Sequence, residues 1–152
     1  MFRGVNNVNL DAKGRMAMPT RYREILVDRC AGQLIVTIDI DERSLLIYPL
    51  QDWEALERDL TRLPNFNKEA RKIQRLLIGH ATDAELDTSG RLLIPPPLRQ
   101  YASLEKKAVL IGQGRKFELW SEDVWQARRD AWLKEDTLES EDLPDGLKSI
   151  SL

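Results

Sequence analysis

The stretch LDAKGRMAMP, Leu10–Pro19, occurs twice in this chain, because it returns as LDTSGRLLIP at Leu86–Pro95. The Asp and the Arg of the two copies are separated by the same offset of 76 residues. Leu, Asp, Gly, Arg and Pro are shared position by position, and apolar residues fill the places between Arg and Pro. A single D-x-x-x-R motif is a weak signal, whereas two copies framed by the same Leu, Gly and Pro indicate an internal repeat.

Each copy has the local chemistry of a tight turn. In the first copy, Gly14 can adopt the positive φ that such a turn needs. Asp11 stands at the turn entrance, where an Asp side chain usually accepts hydrogen bonds from turn amides. We therefore predict a local β-hairpin in which one strand ends at Leu10 and the next begins at Arg15. The second copy predicts an equivalent hairpin from its corresponding residues, Leu86, Asp87, Gly90 and Arg91.

Charge is segregated along the chain. The 152 residues are 42% hydrophobic and 32% charged, with a net charge of −2, as in a globular protein with a core. Residues 1–25 contain five Lys or Arg against two Asp or Glu, a net of +3. Residues 134–152 contain two against six, a net of −4. Such segregation says more about partners than the total charge does, and it favours an anionic partner for the first segment.

Several classes of site and location are disfavoured by composition. The single Cys30 cannot form an internal disulfide or a cysteine zinc site, and it suits a reducing cytosol. His80 is the only histidine, so it makes neither a metal site nor a triad, and we interpret it as a structural residue where a strand begins. No apolar run approaches the roughly 20 residues of a membrane helix, and no signal peptide opens the chain. We expect no metal, cofactor, membrane or small-molecule substrate.

Both halves follow one plan of β-hairpin, helix, β-hairpin and helix. Pro19 suits the first position of a short helix. The aliphatic runs Leu34–Ile38 and Leu45–Tyr48 predict a hairpin, and the helical spacing from Trp53 to Leu63 predicts an amphipathic helix with Trp53 in the core. The second half predicts a helix after Pro95, a hairpin from Lys107–Gly112 and Lys116–Trp120, and a closing helix after Ser121.

The repeat divides the chain into four parts. These are a first repeat at residues 1–66, a linking helix at 67–80, a second repeat at 81–136 and an acidic tail at 137–152. The tail is poor in aromatic residues and is expected to be loosely held. The cations of the linking helix, Arg71, Lys72 and Arg75, fit either a solvated face or an interface with DNA or a neighbouring chain.

The paired motifs, the opening MFRG, the linking RLLIGHA and the phrase KFELW resemble the MraZ family of bacterial transcriptional regulators, over essentially the full chain. The resemblance implies an α+β fold of two tandem AbrB-like swapped-hairpin units that close into a small pseudo-symmetric β-barrel with peripheral helices. It also implies a ring-like homo-oligomer that binds repeated elements in promoter DNA. The expected role is mainly repression of the cell-division and cell-wall gene cluster, including the chain's own promoter, in the cytoplasm at the nucleoid.

The resemblance assigns DNA binding to Asp11 and Arg15 and again to Asp87 and Arg91. Independently, the planar fork of an arginine on a rigid turn can grip guanine O6 and N7 in the major groove, and lysines and arginines nearby can contact phosphates. The candidate DNA-binding residues are Arg3, Lys13, Arg15, Arg21, Arg23 and Arg91. The residues expected to fix and orient the turns are Asp11, Gly14, Asp87 and Gly90.

The two copies are not expected to be equal. Ser89 stands at the place of Lys13, and Pro97 at the place of Arg21, so the second motif has fewer cations around it. We predict that Arg15 contributes more to DNA binding than Arg91 does.

Two alternative functions remain open at the level of sequence. One is an oligomeric scaffold that binds proteins and no DNA. The other is an aspartyl hydrolase in which Asp11 and Asp87 share a proton across a pseudo-symmetric fold. The hydrolase is disfavoured because an arginine follows each Asp by four residues and opposes a shared proton.

Overall fold

A computed structural model describes all 152 residues, Met1–Leu152, as a mixed α and β structure. Its strands are β1 Phe2–Asn9, β2 Arg15–Ala17, β3 Gln33–Ile38, β4 Leu45–Pro49, β5 Thr82–Glu85, β6 Arg91–Leu93, β7 Lys107–Gly114 and β8 Lys116–Ser121. Its helices are α1 Thr20–Cys30, α2 Leu50–Thr61, α3 Lys68–His80, α4 Pro96–Tyr101, α5 Glu122–Lys134 and α6 Asp145–Lys148, with a 3-10 turn at Thr137–Glu139. The chain forms two compact units, Met1–Glu122 and Asp123–Leu152.

The first unit contains a six-stranded antiparallel sheet in the order β1-β7-β8-β4-β3-β5. The predicted hairpins β3–β4 and β7–β8 are confirmed. Strands from the two halves of the sequence also pair, because β1 lies beside β7 and β4 beside β8. The edge strands β1 and β5 do not pair with each other, so the sheet is open and the closed barrel stays a prediction.

The prediction of a local hairpin at each motif is right about the turn and about where the strands lie, and wrong about which strands pair. Asp11 N donates to Arg15 O at 2.9 Å, and a single bridge joins Leu10 to Met16. Beyond that point β1 pairs with β7, whereas β2 pairs with β6 of the other half in a separate two-stranded ladder. Burial explains the choice of partner. Met16 and Leu92 are both 0% exposed at the centre of this ladder, where each half covers the apolar residue of the other.

The two faces of strand β3 have different neighbours. Leu34 and Val36 on β3 belong to the same apolar core as Met16 and Leu92. Thr37 points to the opposite face, where its hydroxyl donates to the Leu77 carbonyl of α3 at 2.7 Å. The alternation of side chains along β3 therefore turns Thr37 toward α3 and turns Leu34 and Val36 toward the core, which Leu76 of α3 also contacts.

Each predicted helix is present, although α2 begins at Leu50, three residues before Trp53, and ends at Thr61, two residues before Leu63. Helix α1 begins at Thr20 directly after Pro19, and Trp53 is 2% exposed in α2, which confirms its place in the core. His80 is the last residue of α3 rather than the start of a strand, since β5 begins at Thr82. Its Nδ1 lies 2.7 Å from the Leu76 carbonyl one turn earlier, so the ring packs against the last turn of the helix.

The second unit is mainly helical. Trp125 and Trp132 of α5 contact each other edge to face at 6.3 Å between ring centroids, and the Arg128 guanidinium lies 4.8 Å from the Trp132 ring. The acidic tail contains only the 3-10 turn and α6, and most of its residues are exposed. None of the helices is both long enough and apolar enough to cross a membrane.

Candidate nucleic-acid interface

Both motif turns are fixed by their Asp in the same way. Asp11 Oδ1 accepts hydrogen bonds from the backbone N–H of Lys13 at 3.0 Å and of Arg15 at 2.9 Å. The second turn repeats the pattern, with Asp87 Oδ1 accepting from the Ser89 and Arg91 amides, each at 2.9 Å. Gly14 and Gly90 have φ values of +83° and +75°, so each turn requires the backbone freedom of glycine. In the structure, Asp and Gly therefore have the same places and contacts in both turns.

The second oxygen of each carboxylate orients the motif arginine. Arg15 Nε donates to Asp11 Oδ2 at 2.8 Å, and Arg91 Nε donates to Asp87 Oδ2 at 3.1 Å. The hydrogen bonds use Nε, so they do not occupy the two terminal nitrogens of either guanidinium. About a third of each arginine side chain is exposed, at 30% and 36%.

The carboxylates remain charged at neutral pH. The backbone hydrogen bond from Arg15 is the main cause that lowers the pKa of Asp11, and the corresponding bond from Arg91 lowers the pKa of Asp87. A hydrolytic pair that shares one proton needs a carboxyl group with a raised pKa. Asp11 and Asp87 therefore lack the electrostatics of an aspartyl hydrolase.

The antiparallel pairing of β2 with β6 places the two turns at opposite ends of one short ladder. Met18 N donates to Gly90 O and Ile94 N donates to Gly14 O, both at 2.9 Å, so each turn is bonded to the strand that follows the other. Arg91 Nη1 lies 3.9 Å from Asp11 Oδ2 across the boundary. The two D-x-x-x-R motifs thus form one continuous surface, which we call the paired-turn surface: residues 11–15 and 87–91.

One arginine from each half of the chain covers the motif turn of the other half. Arg23 Nε donates to Met18 O at 2.6 Å, and its side chain covers Gly90 of the second turn. Arg99 Nε donates to Ile94 O at 2.9 Å, and its side chain covers Gly14 of the first turn. Arg99 was not among the candidate residues from the sequence. The signal that could have found it was its place 76 residues after Arg23, the same offset as between the motifs.

The remaining predicted cations lie in different surroundings. Lys13 is exposed on the first turn. Arg21 Nη2 donates to Asn6 Oδ1 at 2.5 Å and to the Tyr22 hydroxyl at 2.8 Å, and this hydroxyl donates to the Arg3 carbonyl. No hydrogen bond or ion pair joins Arg21 to either turn, so Arg21 is held at β1 rather than on the paired-turn surface. Sequence reasoning did not identify the Asn6 and Tyr22 contacts that hold it.

The structure contains no group of three or more His, Cys, Asp or Glu side chains arranged to hold a metal ion. The arrangement of the paired-turn surface is instead that of fixed cationic forks on rigid turns, which suits the recognition of anionic and hydrogen-bonding groups.

Comparison with known proteins gives one consistent result. The family model described as "MraZ protein, putative antitoxin-like" matches residues 1–76 and again residues 77–142. Three similar proteins are each named Transcriptional regulator MraZ, and each alignment covers 152 residues and 100% of both chains. They come from Halorhodospira halophila at 53% identity, Thioalkalivibrio sulfidiphilus at 55% and Coxiella burnetii at 53%.

Proposed function

The chain belongs to the MraZ family of transcriptional regulators, and we propose that it is a sequence-specific repressor that binds repeated operator elements in double-stranded promoter DNA as a ring oligomer. Its targets are the cell-division and cell-wall gene cluster and its own promoter, and it acts in the cytoplasm at the nucleoid. The observation that supports this proposal best is the paired-turn surface, where two arginines are held in a fixed orientation by two charged aspartates.

Arg15 and Arg91 are the residues that recognise bases in this proposal. Because Nε of each is bonded to an Asp, the side chain is ordered before DNA arrives, and little rotational freedom is lost on binding. The terminal nitrogens can then donate to O6 and N7 of a guanine in the major groove. The Asp oxygens point back to the turn amides and the arginine, which satisfies their charge inside the protein rather than against a phosphate.

Four further cations contact phosphates and set the orientation of the protein on the duplex. Lys13 extends the paired-turn surface, and Arg23 keeps its terminal nitrogens available after Nε has bonded to Met18 O. Arg21 and Arg3 provide a separate phosphate contact beside β1. Such contacts add affinity without reading sequence.

Repeated operator elements and a ring explain how a weak surface becomes a tight binder. One subunit presents a small cationic surface on a chain of net charge −2. Linking subunits makes the second contact intramolecular, and the gain in affinity can reach roughly a hundredfold or more without any new contact.

The test is a titration of promoter DNA with the wild-type protein and Arg15→Ala. A duplex with several operator copies should bind far more tightly than one with a single copy, and inserting about 5 base pairs, half a helical turn, between copies should remove most of the gain. Arg62→Ala is the matched control, since it removes an exposed arginine at the end of α2 that belongs to none of the proposed DNA contacts. Absence of binding to any promoter duplex would favour the scaffold alternative, and affinity that ignores copy number would reject the ring.

A further inference from the structure

The side chains of Arg23 and Arg99 each contact the motif that is distant in sequence rather than the motif that they directly follow. Arg23 follows the first D-x-x-x-R motif closely, yet it contacts Gly90 of the second turn. Arg99 follows the second motif, yet it contacts Gly14 of the first turn. This exchange of contacts arises because β2 and β6 pair antiparallel. The end of β2 therefore lies beside the second turn, and the end of β6 lies beside the first turn.

The contact between Arg99 and the first turn consists of three linked interactions. Arg99 Nε donates to Ile94 O, and Ile94 N donates to Gly14 O, so the guanidinium and the turn share one backbone anchor. Gly14 is buried although its neighbours Ala12 and Lys13 are exposed. A Cβ added at Gly14 would overlap the Arg99 side chain, so that side chain covers the turn directly.

The second turn has the mirror arrangement. Arg23 Nε donates to Met18 O, Met18 N donates to Gly90 O, and a Cβ at Gly90 would overlap the Arg23 side chain. Gly90 is buried between exposed Ser89 and half-buried Arg91. The same contact between an arginine and a turn glycine occurs twice, and in each case the arginine comes from the other half of the chain. This repetition indicates that the contact has the same role in both turns rather than arising by chance.

We propose that Arg99 is the positioning residue of the first motif and Arg23 that of the second, each holding from the other half the turn that presents the DNA-binding arginine. This deepens the proposed function and rests on it for the part that concerns DNA. Arg99 is coupled to Arg15, and Arg23 is coupled to Arg91. The pairs that are close in sequence, Arg23 with Arg15 and Arg99 with Arg91, are not coupled.

The first experiment needs no DNA and uses hydrogen exchange measured by mass spectrometry on the full chain. Loss of the side chain that covers Gly14 or Gly90 should loosen the turn beneath it and speed exchange of that turn's amides on the order of tenfold. Arg99→Met should therefore speed exchange in residues 10–17 and spare 86–93, and Arg23→Met should do the reverse. Equal effects on both segments, or an effect confined to the motif nearer in sequence, would overturn the proposal.

Two variants separate positioning from charge and from failure to fold. Arg99→Lys keeps the positive charge but lacks the planar guanidinium that covers Gly14, so it should show the regional exchange pattern of Arg99→Met. Lys106→Met removes a cation from the same cleft, beside Gly14 and Arg99, and should leave exchange in residues 10–17 unchanged. If Arg99→Met does not fold, Arg99→Lys alone decides the point, because full recovery by Lys would show that only charge matters.

The second experiment is a pair of double-mutant cycles for operator binding. Arg99→Met combined with Arg15→Ala should lose less affinity than the product of the two single losses, whereas Arg99→Met with Arg91→Ala should give that product, as independent sites do. The reverse pattern would refute the positioning roles. If the wild-type protein binds no promoter duplex, the proposed function fails, and the exchange experiment still decides how the turns are held.

Discussion

Exchanging Lys13 and Ser89 tests whether the two turns meet DNA in the same pose. The two residues occupy the same place in their turns, since the Lys13 amide donates to Asp11 Oδ1 at 3.0 Å and the Ser89 amide donates to Asp87 Oδ1 at 2.9 Å. Both side chains are exposed, so Lys13→Ser and Ser89→Lys change one charge without disturbing the turn.

The size of the effect follows from counterion release. Each phosphate contact contributes about 0.9 to the magnitude of the slope of log affinity against log salt concentration. Relative to 1 M salt, one contact per subunit therefore adds a factor of ~8 in affinity at 0.1 M salt and ~3 at 0.3 M. Lys13→Ser should lose this factor and reduce the slope by about one unit. Ser89→Lys should gain it, and the double exchange should restore affinity close to that of the wild type.

Fluorescence anisotropy with one operator duplex, titrated at several salt concentrations, measures both quantities. Thermal unfolding of each variant is the control, because these exposed substitutions should leave the unfolding temperature within a degree or two. A Lys13→Ser protein with unchanged affinity and slope would show that the first turn does not approach a phosphate. Failure of Ser89→Lys to gain affinity, with Lys13→Ser behaving as expected, would refute equivalent poses for the two turns.

Three other changes should have distinct outcomes. Arg15→Ala should weaken operator binding more than Arg91→Ala in matched titrations, each base contact being worth about 1–3 kcal/mol. Gly14→Ala combines a φ of +83° with overlap of the Arg99 side chain, and should cost about 1–3 kcal/mol of unfolding free energy in denaturant titrations. Burial raises the pKa of Glu118 above its ordinary 4.5, so Glu118→Gln should raise the unfolding temperature at pH 7, a gain that disappears as the pH falls below about 4.5.

Turn chemistry was predictable because it is local. The spacing of Asp11, Gly14 and Arg15 brings the Asp11 carboxylate within reach of the Arg15 backbone and side chain, and both observed hydrogen bonds follow from it. The partner of β2 was not predictable in the same way. A short apolar strand must be buried, and the residue that covers Met16 is Leu92, which no local pattern connects to it.

The number of cations around each motif was also mispredicted, because residues that are close in sequence were assumed to be close in space. Counting neighbours in sequence assigns Arg21 and Arg23 to the first motif. In the structure, Arg21 is bonded to Asn6 and Tyr22, and Arg23 lies on the second turn. Only Lys13 still distinguishes the first turn, so the predicted difference between Arg15 and Arg91 keeps its direction and becomes smaller.

The paired-turn surface cannot belong to either half alone. The first turn depends on Ile94 and Arg99, and the second depends on Met18 and Arg23, so each motif lacks its anchor until the other half has folded. Closing these contacts requires pairing across about 76 residues, which costs loop entropy before any apolar surface is buried. Covalent linkage of the two halves reduces that cost relative to two separate chains. It also allows the copies to differ, as Lys13 and Ser89 do, which two identical subunits could not.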